Sequence, residues 1–247
     1  MRIRITLDML NKKIPVNYRS LLQGGIYNCI FADENSEKIH DYGYKIDKRK
    51  FKLFTFSELY GKTEYLQKSK ELLFLSSAYF EFSSIDDKLV LAITNFITQN
   101  KTFIIQKKKI NILSLEYIND NDCKNTTAEF TTSSPITAYK VVEGKKTSYL
   151  HPISAEFSDS IINNLSKKYY LVYKENMPEI QIVSISNIKE KRVYFRNNFS
   201  IAYHCSIKIT GLTNKIYQVI LACGLGSKNS SGFGMVKKVN EKKNLYL

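Results

Sequence analysis

The sequence predicts an α+β fold made of two successive units, each ordered β-α-β-β-α-β with an antiparallel sheet. Three observations carry that prediction. In residues 2–118, alternating or β-branched stretches flank two amphipathic helical stretches. The same order of elements returns in residues 128–239, although the residues themselves do not repeat. The 247 residues, 43% of them hydrophobic and 24% charged, suffice for one large or two small globular domains. An order of this kind is the ferredoxin-like unit, so two such domains in tandem are expected.

Residues 2–8 alternate in polarity and read as a strand. After Pro15, residues 17–31 place Leu21, Leu22, Ile26, Cys29 and Ile30 at helical spacing. Residues 33–50 are polar and charged, and read as a loop. Phe51–Phe56 and Leu72–Phe82 read as strands, the second with a possible bend. Asp86-Asp87 opens a helix that carries Leu89, Ile93, Phe96 and Ile97 on one face; acidic residues suit a helix start. Phe103–Ile118 is rich in β-branched residues and reads as a strand. The turn-forming run Asn119-Asp120-Asn121-Asp122 is the natural boundary, so the expected domains are 1–122 and 123–247. In the second unit, Ala128–Val142 reads as extended. Ser154–Tyr170 reads as a helix with Phe157, Ile161, Ile162 and Leu165 inward. Ile180–Ile188, Arg192–Phe195 and Ile201–Ile209 read as strands. Leu212–Cys223 is a short helix, followed by a glycine-rich loop and a last strand near Met235–Val239.

Composition narrows the function. The net charge is +14, which favours polyanions: nucleic acid or an anionic membrane surface. Residues 123–247 carry most of it, with 18 Lys/Arg against 8 Asp/Glu, compared with 19 against 15 in residues 1–122. The basic residues of the second half group as Lys189, Lys191, Arg192 and Arg196, and again as Lys228, Lys237 and Lys238. Lys107-Lys108-Lys109 in the first half reads as a solvated turn. No apolar run approaches the ~18 residues of a membrane span. The start, Met1-Arg2-Ile3-Arg4-Ile5, has no apolar signal-peptide core, so a cytoplasmic protein is expected. There is no basic amphipathic helix with a large apolar face, which argues against a membrane binder. The cysteines, at 29, 123, 205 and 223, never fall in Cys-x-x-Cys spacing and read as free thiols. His40, His151 and His204 are the only histidines and none neighbours another at helical spacing. Clustered carboxylates are also missing, so neither a metal site nor a cofactor is expected.

Four of the ten glycines lie in one stretch, Gly224-Leu225-Gly226-Ser227-Lys228-Asn229-Ser230-Ser231-Gly232-Phe233-Gly234-Met235-Val236. Asn229 stands where a dinucleotide fingerprint needs its third glycine, and the loop follows a helix rather than a strand. A P-loop fails as well, lacking Gly-Lys-Ser/Thr. Two uses of the glycines stand level: backbone approach to a phosphate, helped by Lys228, Ser230 and Ser231, or tight packing inside the protein. Gly-Phe-Gly-Met-Val-Lys is close to an RNA-binding strand signature, and Phe233 either stacks on a base or points into the core. The basic setting tips the reading towards RNA, with Gly224, Gly226, Lys228, Ser231, Gly232, Phe233, Gly234, Arg192 and Arg196 as candidate contacts.

This glycine stretch resembles the glycine-rich loop of the RAMP superfamily. Ile14-Pro15-Val16-Asn17-Tyr18 with Leu22-Gln23-Gly24-Gly25-Ile26-Tyr27 resembles the first helix of one branch, the CRISPR repeat-processing endoribonucleases. The tandem ferredoxin-like plan agrees, and the resemblance covers both ends of the chain. It implies cleavage of CRISPR repeat RNA in a precursor transcript without metal, giving 2′,3′-cyclic phosphate and 5′-OH ends. It further implies a site of a Tyr on the first helix, a His soon after it and a Lys before the next strand. Here those positions match Tyr27, in Gly-Ile-Tyr-Asn; His40; and Lys52, in Phe51-Lys52-Leu53-Phe54-Thr55. A basic insertion around Lys45–Lys50 lengthens the His-to-Lys interval, so Lys48 and Lys50 stand as alternatives to Lys52.

The residue types suit the reaction. His carries protons near neutral pH and would act as general acid. Lys supplies positive charge to a dianionic phosphorane. Tyr orients the 2′-OH or removes its proton, although its ordinary pKa of ~10 makes it a weak base. Singly, each of these residues reads more readily as surface or packing; their joint order carries the assignment. His151, before Pro152, and His204, inside a strand-like run, read as structural. The competing reading is a non-catalytic RNA-binding subunit of a CRISPR effector complex, which needs no His40. A homodimer or effector-complex subunits are the remaining partners that the resemblance suggests.

Overall fold

The computed structural model describes residues 1–32, 43–46, 49–119, 125–142, 146–195 and 198–239. It contains the two units in the expected order. The first is built on β1 (Arg2–Leu7), β2 (Lys13–Pro15), α1 (Arg19–Ile30), the small hairpin β3 (Tyr44–Ile46) and β4 (Arg49–Phe51), β5 (Phe54–Phe56), β6 (Tyr60–Leu66), β7 (Glu71–Ser84), α2 (Asp87–Asn100), β8 (Thr102–Ile105) and β9 (Lys108–Ile118). Its central strand is β7. One edge of β7 pairs with β1 and β2, and the other with β5 and β6; β9 and then β8 extend the sheet beyond β1. All these pairings are antiparallel, and β6-β7-β1-β9 is the ferredoxin-like strand order.

Alternation in β1 sends Ile3, Ile5 and Leu7 into a core with Leu22, Ile26 and Cys29 of α1 and Leu89, Val90, Ile93 and Ile97 of α2. Asp86 caps α2 by accepting from the Lys88 N–H at 3.1 Å, which is why the acidic pair marked its start.

The second unit comprises β10 (Thr127–Thr132), β11 (Tyr139–Val142), β12 (Lys146–Tyr149), α3 (Ala155–Tyr173), β13 (Gln181–Phe195), β14 (Asn198–Thr210), α4 (Asn214–Cys223) and β15 (Val236–Lys238). Its sheet runs β13-β14-β10-β15, again the ferredoxin-like order. Ser154 and Thr213 cap α3 and α4. Phe157, Ile161 and Leu165 of α3 pack with Phe130, Ile207 and Ile220 in the second core.

Several expected boundaries move, each for a local reason. Phe51–Phe56 is two strands, β4 and β5, parted at Leu53, whose φ is +50°. Phe103–Ile118 is a hairpin, turning at Gln106 and Lys107, both in the left-handed region. Leu72–Phe82 is one unbroken strand, β7. The two runs Ile180–Ile188 and Arg192–Phe195 are one strand, β13, with bulges between Ile182 and Ser184 and between Ser186 and Lys189. Ala128–Val142 is not one strand: after β10 the chain crosses the sheet through an isolated bridge from Ile136 to Tyr203 before β11. β6 gave no apolar signal because its inner positions, Gly61 to Tyr65, are exposed on an edge. No helix among the described residues is long and apolar enough to cross a membrane.

Candidate nucleic-acid site

Phe51 and Leu53 anchor the β4–β5 segment in the core of the second unit, although β4 and β5 belong to the first. The Leu53 carbonyl also accepts from Ser84 Oγ at 3.0 Å and from Cys223 Sγ at 3.5 Å. Between these two anchors Lys52 turns the other way and meets α1. Its Nζ donates to Tyr27 Oη at 2.8 Å and lies 4.6 Å from the centre of the Tyr27 ring. The ring itself is held edge-on against Phe54 and beside Phe31, with centroids 6.0 Å away in each case. Two of the three residues expected to form the site therefore meet, although 25 positions separate them. His40 and Lys48 lie outside the described residues. Lys50 lines the same cleft as Lys52.

That cleft, about 760 Å³, lies between the units. Lys50 and Lys52 form one bank; Lys140, Lys167, Lys168 and Lys228 from the second unit form the other. Tyr139 contributes an aromatic wall, with Lys228 Nζ 5.2 Å from its ring centre. Lys140 is partly neutralised by Glu156 at 2.6 Å. Asp159 also lines the cleft, so its lysines outnumber its two carboxylates, and a predominantly basic cleft attracts a polyanion.

Lys168 is a residue that sequence reasoning missed. It is buried, and its Nζ donates to the carbonyls of Gly224 at 2.7 Å and Gly226 at 3.3 Å. Burial pushes its pKa down to about 7, and the two carbonyls supply acceptors that a buried ammonium requires. The signal was present: Phe157, Ile161, Leu165 and residue 168 share one helix face, and a lysine on an apolar stripe asks for a buried partner.

The glycine loop is where the structure corrects the sequence reading. Gly224, Gly226, Gly232, Phe233 and Gly234 are buried in protein or nearly so, so they offer no surface to RNA. Phe233 is 0% exposed; its ring lies 4.9 Å from the Arg19 guanidinium and cannot stack on a base. The segment 232–234 is not a strand either, since β15 starts at Val236.

Instead the loop joins the two units. Arg19 donates to the Gly232 carbonyl, Gln23 to the Ser230 carbonyl at 2.6 Å, and Thr55 to the Phe233 carbonyl at 3.1 Å. Gly234 has φ +72°, and a Cβ there would stand 1.9 Å from the Leu225 carbonyl oxygen. At Gly232, φ +81°, a Cβ would meet the Phe56 ring at 2.5 Å. The sequence reading tipped towards RNA contact, whereas packing inside the protein is the use that the positive φ values and close approaches at Gly232 and Gly234 serve. The outer rim, Ser227 to Ser230 with Lys228, does line the cleft, and Ser231 is only half-buried.

Arg192 is exposed on β13, paired with Glu190 at 3.2 Å. Arg196 lies outside the described residues. His204 is structural: its Nε2 lies 3.3 Å from Glu58 and its Nδ1 3.0 Å from Thr132 Oγ1. Glu58 also binds Arg19 at 2.8 Å and Lys191 at 2.6 Å, so one carboxylate ties α1 to β13 and β14. His151 packs against Tyr203, ring centres 5.1 Å apart. Among the described residues no group of three or more His, Cys, Asp or Glu is placed to hold a metal ion.

Comparison with known proteins gives a consistent picture. Residues 13–116 match the family model described as CRISPR-associated protein Cas6, N-terminal, and residues 118–238 match CRISPR associated protein Cas6, C-terminal. The chain is 30% identical to CRISPR-associated endoribonuclease Cas6 1 of Methanocaldococcus jannaschii, over 98% of this chain and 94% of that one. It is 28% identical to CRISPR-associated endoribonuclease Cas6 of Pyrococcus furiosus, over 91% and 83% of the two chains. A solved structure of a CRISPR associated protein Cas6 superposes with a TM-score of 0.76 at 25% identity, covering 97% of this chain and 99% of the other. The product of a Cas6-related gene from Pyrococcus furiosus shares the fold, with a TM-score of 0.79 at 23% identity, covering 98% and 99%.

Proposed function

The chain belongs to the Cas6 family of CRISPR-associated endoribonucleases, and from that premise we propose that it cuts CRISPR repeat RNA in the cleft beside Tyr27 and Lys52. The observation that carries the reading is the Lys52–Tyr27 hydrogen bond, 2.8 Å long. It joins a phenol on α1 to an ammonium that lines the basic cleft, two groups that suit transesterification by the RNA's own 2′-OH.

In the proposed reaction the 2′-oxygen attacks the adjacent phosphorus and loses its proton. The bond from phosphorus to the 5′-oxygen breaks, and that oxygen takes up a proton. The products are a 2′,3′-cyclic phosphate and a 5′-OH end. Tyr27 orients the 2′-OH or accepts its proton. Lys52 offsets the charge that builds on the phosphorane oxygens. The general acid assigned to the leaving oxygen is His40, on the strength of the family resemblance and its place in sequence between α1 and β3. Lys52 is preferred to Lys50 because its Nζ reaches the Tyr27 hydroxyl.

Domain roles divide at residue 122 in this reading. The first unit supplies the reacting groups, and the second supplies Lys140, Lys167 and Lys228 to the phosphate track, with Arg192 on its outer strand. Incubating repeat RNA with the protein in excess EDTA, with end-group analysis of the products, tests the reading. Cleavage to cyclic-phosphate ends supports it. Activity lost on chelation and restored by Mg²⁺ or Mn²⁺ overturns the mechanism. Tight binding with no cleavage under any condition points to the non-catalytic subunit instead.

A further inference from the structure

The lysines read from the sequence as a solvated turn have a structural setting of their own. β1 ends at Leu7, and the chain loops through Met9 before β2 begins at Lys13. Facing this loop is the β8–β9 turn. Between them lies a second cleft of about 440 Å³, lined by Lys12 and Lys13 on one bank and Gln106, Lys108 and Lys109 on the other. Its floor is Ile14, Ile105 and Ile110, all buried. Among the described residues Glu71 is the only acidic one lining it, and Asp8, just outside, pairs with Lys12 at 3.3 Å. Lys13, Lys108 and Lys109 are exposed and carry no salt bridge among the described residues. The left-handed conformations of Asn11, Gln106 and Lys107 turn both loops tightly and bring the two lysine-bearing banks face to face.

This cleft is not part of the cleft that Lys50 and Lys52 line. The two share no lining residue. Arg2, at the start of β1, donates to the Val236 carbonyl at 2.7 Å and so marks the boundary between the units. The lysine cleft sits past the other end of β1, roughly 20 Å away for a six-residue strand.

We infer that this distal cleft is a second phosphate-binding site, which holds single-stranded RNA flanking the repeat. The proposal deepens the repeat-cleavage reading and rests on it for the identity of the polyanion. The chemistry of the cleft suits phosphates rather than bases. Four ammonium groups provide charge, the Gln106 amide provides a donor, and no aromatic ring among the described residues lines it to stack a base. An apolar peptide is disfavoured because the apolar residues form a closed floor beneath the lysines.

Binding of two RNAs tests it: a minimal repeat, and the same repeat extended on both sides by oligouridylate. The proteins are the wild type, Lys108→Glu/Lys109→Glu, and, from the opposite bank, Lys12→Gln/Lys13→Gln. Both variants should bind and cleave the minimal repeat as the wild type does. Affinity for the extended RNA should fall at least several-fold. Removing two lysine–phosphate pairs should lower the salt slope by about 1.4, at ~0.7 per phosphate on single strands. Equal affinity of wild type and both variants for the extended RNA overturns the proposal. An equal loss on both RNAs also overturns it, since the lysines would then serve the repeat itself. Because affinity is read directly, a protein that binds but never cleaves would refute the catalytic reading while leaving this one standing or falling on its own result.

Discussion

Lys52 Nζ and Tyr27 Oη are 2.8 Å apart, yet the lysine reaches that position only because its neighbours, Phe51 and Leu53, are buried in the other unit. The proposed reactive pair is thus assembled by the interface between the units rather than by either alone. Packing on both sides of a short segment limits the rotamers open to the lysine, and preorganised charge is what electrostatic catalysis needs.

Lys52→Ala should slow the chemical step by about 10²–10³-fold, the usual loss when one stabilising donor is removed. Lys50→Ala should cost much less. Single-turnover rates at saturating protein separate this from affinity. Equal losses in the two variants would show that the lysines act as general cleft charge and not as a placed group.

His40→Ala should reduce cleavage by about 10²–10⁴-fold while leaving RNA affinity nearly unchanged. Affinity comes from many phosphate contacts, whereas the proton comes from one side chain. Filter binding and single-turnover cleavage on the same preparation make the comparison. A wild-type rate in His40→Ala would remove it from the reaction.

Gly234→Ala should act on stability before it acts on RNA. A left-handed backbone costs an ordinary residue about 1–2 kcal/mol, and the new Cβ also overlaps the Leu225 carbonyl at 1.9 Å. Thermal unfolding should show a melting temperature lowered by several degrees. A variant that melts like the wild type but binds RNA poorly would restore the backbone-approach reading of this loop.

Acid should loosen the junction of the units. Burial alone would push the Glu58 carboxyl up, but the His204 hydrogen bond and the charges of Arg19 and Lys191 outweigh it and bring the pKa down to about 2 from an ordinary 4.5. A carboxyl depressed in the folded state stabilises above its unfolded value. That contribution, roughly 3 kcal/mol at 1.36 per unit, is present above pH ~4.5 and lost as pH falls towards 2. Tyr18 and Tyr60 also face Glu58, and burial raises both well above that range, so they do not titrate with it. Denaturant midpoints of wild type and Glu58→Gln should converge as pH drops from 5 to 3. Parallel curves across that window would assign the acid response to other groups.

The limits of sequence reading follow from what local pattern encodes. The acidic start of α2 at Asp86 and the alternation in β1 were legible because they act within a few residues. β6 was not, because an exposed edge strand needs no apolar residues. The break at Leu53 and the turn at Gln106-Lys107 depend on left-handed conformations that non-glycine residues do not announce. Motif resemblance located Tyr27 and Lys52, and the fold then placed them within a hydrogen bond of each other.

By itself the sequence determined the two-unit plan, the basic surface and the family, since periodicity, charge and motif spacing are properties of the chain read in one dimension. Only the tertiary structure decided what the glycines are for. Whether Phe233 meets a base or Arg19, and whether Lys168 meets solvent or the Gly224 carbonyl, depends on which surface the fold brings against them. Those partners lie 214 and 56 positions away in the chain, and no local pattern carries that distance.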